Sequence, residues 1–270
     1  MQALRQVDDW PARRAAVAVV GPEGTRAVHG PREFPLRWAS VTKLATALAA
    51  LVAAEEGTIE LDDPAGPPGS TLRHLLAHAS GLAPDGLAPI ASPAERRIYS
   101  NSGFELVAEA VEQAAEMRFA DYLRESVLEP LGLSAVLEGS AASGLRGPLD
   151  DLARLGRELL EPTLVAPETL AEATRVAFPD LVGVLPGFGR MAPNDWGLGF
   201  ELRDAKEPHW TGARNSPRTF GHFGRTGTFL WVDPEARVAL ACLTDLTFGE
   251  WAREAWPRLS DAVLAEAGAS

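Results

Sequence analysis

The 270-residue sequence predicts an α+β protein: an antiparallel sheet built from both chain ends, flanking helices and an inserted helical subdomain. Short apolar or alternating runs bounded by turn residues sit near both termini. Helix-period patterns fill the middle, and one more closes the chain. Strands on either side of a helical block imply a sheet that both ends complete, with the block beside it. The whole of 1–270 then forms a single domain, its α/β part at about 1–57 and 195–270 and its helical part at about 58–194.

The first runs, "AAVAVV" and "RAVHG", flank the turn "GPEG" as a hairpin. From Ser40 the period changes. Leu44, Leu48, Leu51 and Val52 follow helical spacing, and Gly57 supplies a stop. "STLRHLLAHASG" is a shorter helix closed by Gly81, followed by helices in "SNSGFELVAEAVEQAAEM" and "FADYLRESVLEPLGL". "PLDDLARLGRELLEP" is another, with Asp150 or Asp151 as its cap. From about residue 195, "WGLGFELR" and "RTFGHFGRTGTFLWVDPEARVALACLTD" predict an antiparallel meander turning at Gly224–Gly227 and Asp233–Pro234. A helix from Glu250 to Ala267 ends the pattern.

With 46% hydrophobic and 23% charged residues, the chain is globular and long enough for a large core. A formal net charge of −12 argues against nucleic acid or an anionic membrane surface as partner, since both are bound by clustered positive charge. No run of about eighteen apolar residues suggests a membrane helix. The opening "MQALRQVDDWPARRAAVAVV" puts acids ahead of its apolar run, unlike a secretory signal. A cytoplasmic protein with a small-molecule partner is therefore expected, its oligomeric state left open. The single cysteine, Cys242 in "VALACLTD", excludes an internal disulfide and fits a packed core thiol.

Twenty-three of the 25 Lys plus Arg residues are arginine, leaving Lys43 and Lys206. Arginine keeps its proton in a protein, whereas a buried lysine can lose it. Lys43 stands three residues after Ser40 at the start of a predicted helix, so both side chains share a face. There a neutral amine can take the serine proton, and the Ser40 N–H can help hold an oxyanion. Ser-x-x-Lys by itself is also met by chance, and Ser40 can equally be an N-cap.

A second cluster is "IYSNSG". Tyr99 can shuttle a proton if cationic neighbours lower its pKa, and Asn101 offers a donor and an acceptor, though Tyr-Ser-Asn is also ordinary loop chemistry. The third is "GHFGRTG", where His222 can hydrogen-bond or titrate and Gly224 lets a substrate lie near the backbone. The Arg225 N–H is a candidate second oxyanion donor, and its guanidinium suits a substrate carboxylate unless it is simply a solvated hairpin arginine. His74 and His78 lie four apart but have no third metal ligand, and the paired acids of "LDDP" and "LDD" fit turns and caps better than a two-carboxylate site.

Five segments in order carry a family resemblance. "ASVTKLATALAALVAAEEGTIELDDP", "LRHLLAHASGL", "YSNSGFELVAEAVEQAAEMRFADYLRESVLEPLGL", "WGLGF" and "GHFGRTGTFLWVDPEARVALACLTD" resemble the serine β-lactamase and penicillin-binding-protein superfamily, in its class C-like group of esterases and D-amino-acid peptidases. The resemblance implies a β-lactamase/transpeptidase-like fold, and no metal or cofactor is expected. It also implies Ser40 as nucleophile, Lys43 as its base, Tyr99 as proton relay and Asn101 as a substrate contact. His222 stands where β-lactamases have the lysine of Lys-Thr-Gly, with Gly224 matching its glycine. That histidine resembles esterase and peptidase members more than β-lactamases. The expected function is a serine hydrolase forming an acyl-enzyme on a small ester, amide or lactam. The alternatives are a non-catalytic binding protein on the same fold, or a true β-lactamase or D,D-peptidase.

Overall fold

The computed structural model of the chain describes residues 1–268. One antiparallel sheet contains β1 Ala15–Gly21, β2 Gly24–His29, β3 Glu201–Leu202, β4 Phe220–Gly224, β5 Thr228–Asp233 and β6 Val238–Thr244. Their order is β2-β1-β6-β5-β4-β3. β1 pairs with β6, Ala18 opposite Ala241, so the two chain ends do meet at the centre of the sheet. The main helices are α1 Thr42–Glu55, α2 Leu72–Leu76, α3 Asn101–Ala115, α4 Leu149–Leu160 and α5 Glu250–Ala267.

The central strands are apolar on both faces because both faces are covered. Ala16, Ala18, Leu230, Ala239 and Ala241 join the core that includes α1 and α4, while Val17, Val19, Trp231, Leu240 and Cys242 join the one under α5. Small residues on the first face let α4 come close: a Cβ at Gly156 would stand 3.0 Å from Leu230 and 3.4 Å from Ala239. α4 thus packs on the sheet, although it falls in the stretch expected to stand beside it.

α1 shows no single apolar stripe. Every residue from Thr42 to Ala53 is buried, the condition of a helix that is apolar all round. Two local expectations change. Asp150 and Asp151 lie inside the first turn of α4 rather than capping it, since Pro148 holds the N-cap position; Asp150 pairs with Arg32 and Asp151 accepts from Ser134. "WGLGFELR" is strand only at Glu201–Leu202, because Gly199, at φ +93°, turns the backbone onto α1 where a Cβ would come within 2.2 Å of Ala47. Among the described residues no helix is long and apolar enough to cross a membrane.

Candidate active site

Ser40 sits in a single 3-10 turn, Ala39–Val41, directly ahead of α1. Val41 occupies the N-cap position of α1, so Ser40 is not the cap. Ala39 has φ +47°, a left-handed conformation that costs an alanine of order 1 kcal/mol or more and that only surrounding structure maintains. That structure is the end of β4. A Cβ at Gly224 would stand 2.6 Å from the Trp38 carbonyl and 3.2 Å from the Ser40 nitrogen. The glycine therefore admits the strand against the serine turn itself, rather than only a substrate against the strand.

Tyr99 Oη donates to Ser40 Oγ at 2.8 Å. Lys43 is fully buried, and its Nζ donates to Asn101 Oδ1 at 2.8 Å and to the Ala142 carbonyl at 2.9 Å. Burial lowers the Lys43 pKa to about 7, only partly opposed by Glu105 and Asp85. Tyr99 goes the other way from the sequence expectation. Burial drives its pKa well above the ordinary phenol value, against the lowering effect of its hydrogen bond to Ser40. It is a neutral phenol at rest.

Ser100 caps α3 by accepting from the Gly103 N–H, which fixes Asn101 at the first helical position. The Asn101 amide then spans two partners, accepting from Lys43 Nζ at its oxygen and donating to Asp85 at 3.0 Å. The loop that supplies Ala142 is itself tied to α3, since Glu105 accepts from Ser140 and from the Ala141 and Ala142 N–H groups. α1 docks on the same loop through Thr46, which donates to the Ala141 carbonyl.

His78, Trp196 and His222 surround the Tyr99 ring, with centroids 4.6, 5.9 and 5.8 Å away. His78 Nδ1 accepts from the Ser100 N–H, so the neutral ring carries its hydrogen on Nε2. His222 has the opposite tautomer. Its Nδ1 lies 2.7 Å from the Phe223 carbonyl and must donate, leaving a lone pair on Nε2. Burial, with Lys43 nearby, holds the His222 pKa at about 3, so it presents a neutral acceptor and does not titrate near neutrality.

Ser40, Tyr99, Asn101, His222 and Arg225 line one cavity of about 280 Å³. The Arg225 side chain is exposed at its rim. Sequence reasoning missed the other walls: the Leu185–Gly187 turn, Trp196, Glu201 and Phe248. It also missed what lies behind Glu201. Lys206, the second lysine, is buried against the Glu201 carboxylate, which also accepts from His209 and from Trp210 Nε1. Burial alone would raise Glu201, but His209 and Lys206 outweigh it and hold its pKa at about 2. The rejected metal pair stays apart in role, His74 Nδ1 bonding to Thr71, and no group of three metal-ligating side chains occurs among the described residues. Cys242 is buried, and burial pushes its thiol well up.

A family model described as Beta-lactamase matches residues 12–265. The chain is 52% identical to a beta-lactamase of Mycobacterium bovis, whose crystal structure it matches at a TM-score of 0.97 over 98% of this chain and 99% of that one. A hydrolase with promiscuous acyltransferase activity shares the fold at a TM-score of 0.78, with 19% identity over 97% of each chain. Penicillin-binding protein 4* of Bacillus subtilis is 32% identical over 36% of this chain, a match that spans 29% of that protein's own length.

Proposed function

The chain belongs to the beta-lactamase family, within the serine β-lactamase and penicillin-binding-protein superfamily, and from that premise we propose that it is a serine hydrolase forming an acyl-enzyme on Ser40. The observation that carries this reading is the hydrogen-bond inventory of Lys43. A neutral amine has two hydrogens and one lone pair. Asn101 Oδ1 and the Ala142 carbonyl take the two hydrogens, which leaves the lone pair for a third partner. Ser40 Oγ already accepts from Tyr99, so its own hydrogen is the one to be given away.

In this mechanism Ser40 Oγ attacks the carbonyl carbon as its proton passes to Lys43. The oxyanion rests on the backbone N–H groups of Ser40 and Arg225, which the missing side chain at Gly224 allows to approach each other. Tyr99 hands its proton to the leaving group while Lys43 replaces it, because a phenol with so high a pKa does not persist as phenolate. Water then repeats the steps in reverse roles and frees the acid. Asn101 holds Lys43 and the substrate edge, and His222 offers a substrate N–H or O–H its lone pair.

An acceptor at 222 where a lysine would be a cation favours small esters and amides over β-lactams. The opposing observation is the 52% identity to a protein described as a beta-lactamase, which keeps β-lactam turnover as the second reading. A panel of p-nitrophenyl acetate, a chromogenic cephalosporin and a D-alanyl amide separates them. The expected order of kcat/KM puts the acetate first; a cephalosporin turned over faster than the acetate favours the β-lactamase reading. A chain inert on all three, and unlabelled by a fluorophosphonate, would be a binding protein.

Arg225 is placed to select substrates. Its guanidinium at the cavity rim can grip a carboxylate close to the scissile carbonyl with two parallel hydrogen bonds. Arg225→Ala is expected to lower kcat/KM about ten- to a hundred-fold on small hemi-esters and to leave neutral esters of equal size unchanged. Steady-state kinetics on the matched pair checks this. Equal losses on both would mean that the change disturbs the oxyanion strand.

A further inference from the structure

A second cavity, of about 510 Å³, adjoins the first, and Tyr99 and Pro186 belong to the walls of both. Its frame is rigid. The Arg97 N–H donates to the Val182 carbonyl at 2.9 Å, and the two parallel stretches come this close because Gly183 has no side chain to meet Arg97. The buried Arg97 guanidinium bonds the carbonyls of Ala77, Ala177, Phe178 and Asn194, which fixes this platform to the rest of the fold. Gly183–Leu185 then pairs with Gly189–Met191, Val184 opposite Arg190.

The groove so formed is lined by both aliphatic and cationic side chains. Ile90, Ile98, Val182 and Val184 line it, and Ile90 and Val184 are 52% and 59% exposed, unusual for large aliphatic side chains beside a reactive cavity. Arg96 and Arg190 line it too. Neither forms an ion pair among the described residues, although the chain carries twelve more acids than bases. Arg96 is positioned by its bond to the Ile90 carbonyl at 2.8 Å.

We propose that this groove binds the leaving-group arm of the substrate, and that the preferred arm is an extended apolar chain ending in an anion. The inference rests on the acyl-enzyme reading. Tyr99 supplies the leaving group's proton, so the arm departs from the oxygen nearest Tyr99 and runs past that ring into the groove. Its methylene groups cover the exposed aliphatic strip, and its terminal charge meets Arg96 and Arg190. In the acylation step the bond from Ser40 Oγ to the carbonyl carbon forms, the bond from that carbon to the arm's oxygen breaks, and the arm leaves as an alcohol.

Three acetate esters test this, because all pass through the same acetyl-enzyme and differ only in the arm: ethyl acetate, octyl acetate and ω-acetoxyoctanoate. The expected kcat/KM rises in that order, by at least about ten-fold from first to last, while kcat converges wherever deacylation limits. The double variant Arg96→Ala, Arg190→Ala should lose about ten-fold on ω-acetoxyoctanoate alone, and Val184→Asp should lower octyl acetate while sparing ethyl acetate. Equal kcat/KM for the three esters, or a double variant that loses equally on all, would overturn the groove assignment with the hydrolase intact. Absence of turnover and of Ser40 labelling with p-nitrophenyl acetate would instead overturn the hydrolase reading beneath it.

Discussion

Lys43→Arg is expected to lower kcat/KM by about 10²–10⁴-fold, nearly as much as Lys43→Ala, because general-base catalysis is typically worth that much and a guanidinium cannot supply it. The fully buried Nζ site accommodates two acceptors and leaves one lone pair when neutral. A cation fixed there would keep the electrostatics and lose the base. The same chemistry sets a pH profile. With the Lys43 pKa lowered to about 7, the amine is protonated and inactive on the acid side. kcat/KM should therefore climb through pH ~7 and level off above it. His222, held at about 3, adds no limb in that range. Initial rates of p-nitrophenyl acetate hydrolysis across pH, for the parent and both variants, check both statements; an arginine variant retaining most of the activity would make Lys43 an electrostatic group only.

Tyr99→Phe should lower turnover by at least about ten-fold and affect breakdown of the acyl-enzyme as well as its formation. Phenylalanine keeps the ring against His78 and Trp196 and removes only the hydroxyl that bonds Ser40. The loss is therefore chemical and not a matter of packing. Pre-steady-state measurements with p-nitrophenyl acetate separate the two steps by burst rate and steady rate. Unchanged steady turnover would show that water or another group carries the proton.

Much of this arrangement was legible in the sequence, and the reasons differ by residue. The sheet from both ends was visible because its strands are short apolar or alternating runs bounded by turn residues. Lys43 stood out because lysine is so rare here; Lys206 stood out equally, and the fold buries it too, in an ion pair with Glu201 rather than beside Ser40. Rarity therefore marked burial, while spacing to Ser40 is what singles out Lys43 for the proposed chemistry. The Ala142 carbonyl could not be foreseen, since a backbone oxygen leaves no residue-type signal. Asn101 was singled out, but its tie to Lys43 spans 58 positions and depends on how α1 and α3 meet. For Tyr99 the sequence could name the condition, a pKa lowered by cationic neighbours, but not that burial would raise it instead, because desolvation depends on how the chain packs around the ring.

The central claim is that Ser40 is the acyl-accepting nucleophile, and its most direct test is the site of the covalent intermediate. Intact-protein mass spectrometry during turnover of a slow ester, followed by peptide mapping of the trapped species, should find one acyl adduct on Ser40. Ser40→Ala should carry none and should still fold, since removing one half-exposed hydroxyl costs little stability. An adduct on any other residue, or turnover by folded Ser40→Ala protein, would contradict it.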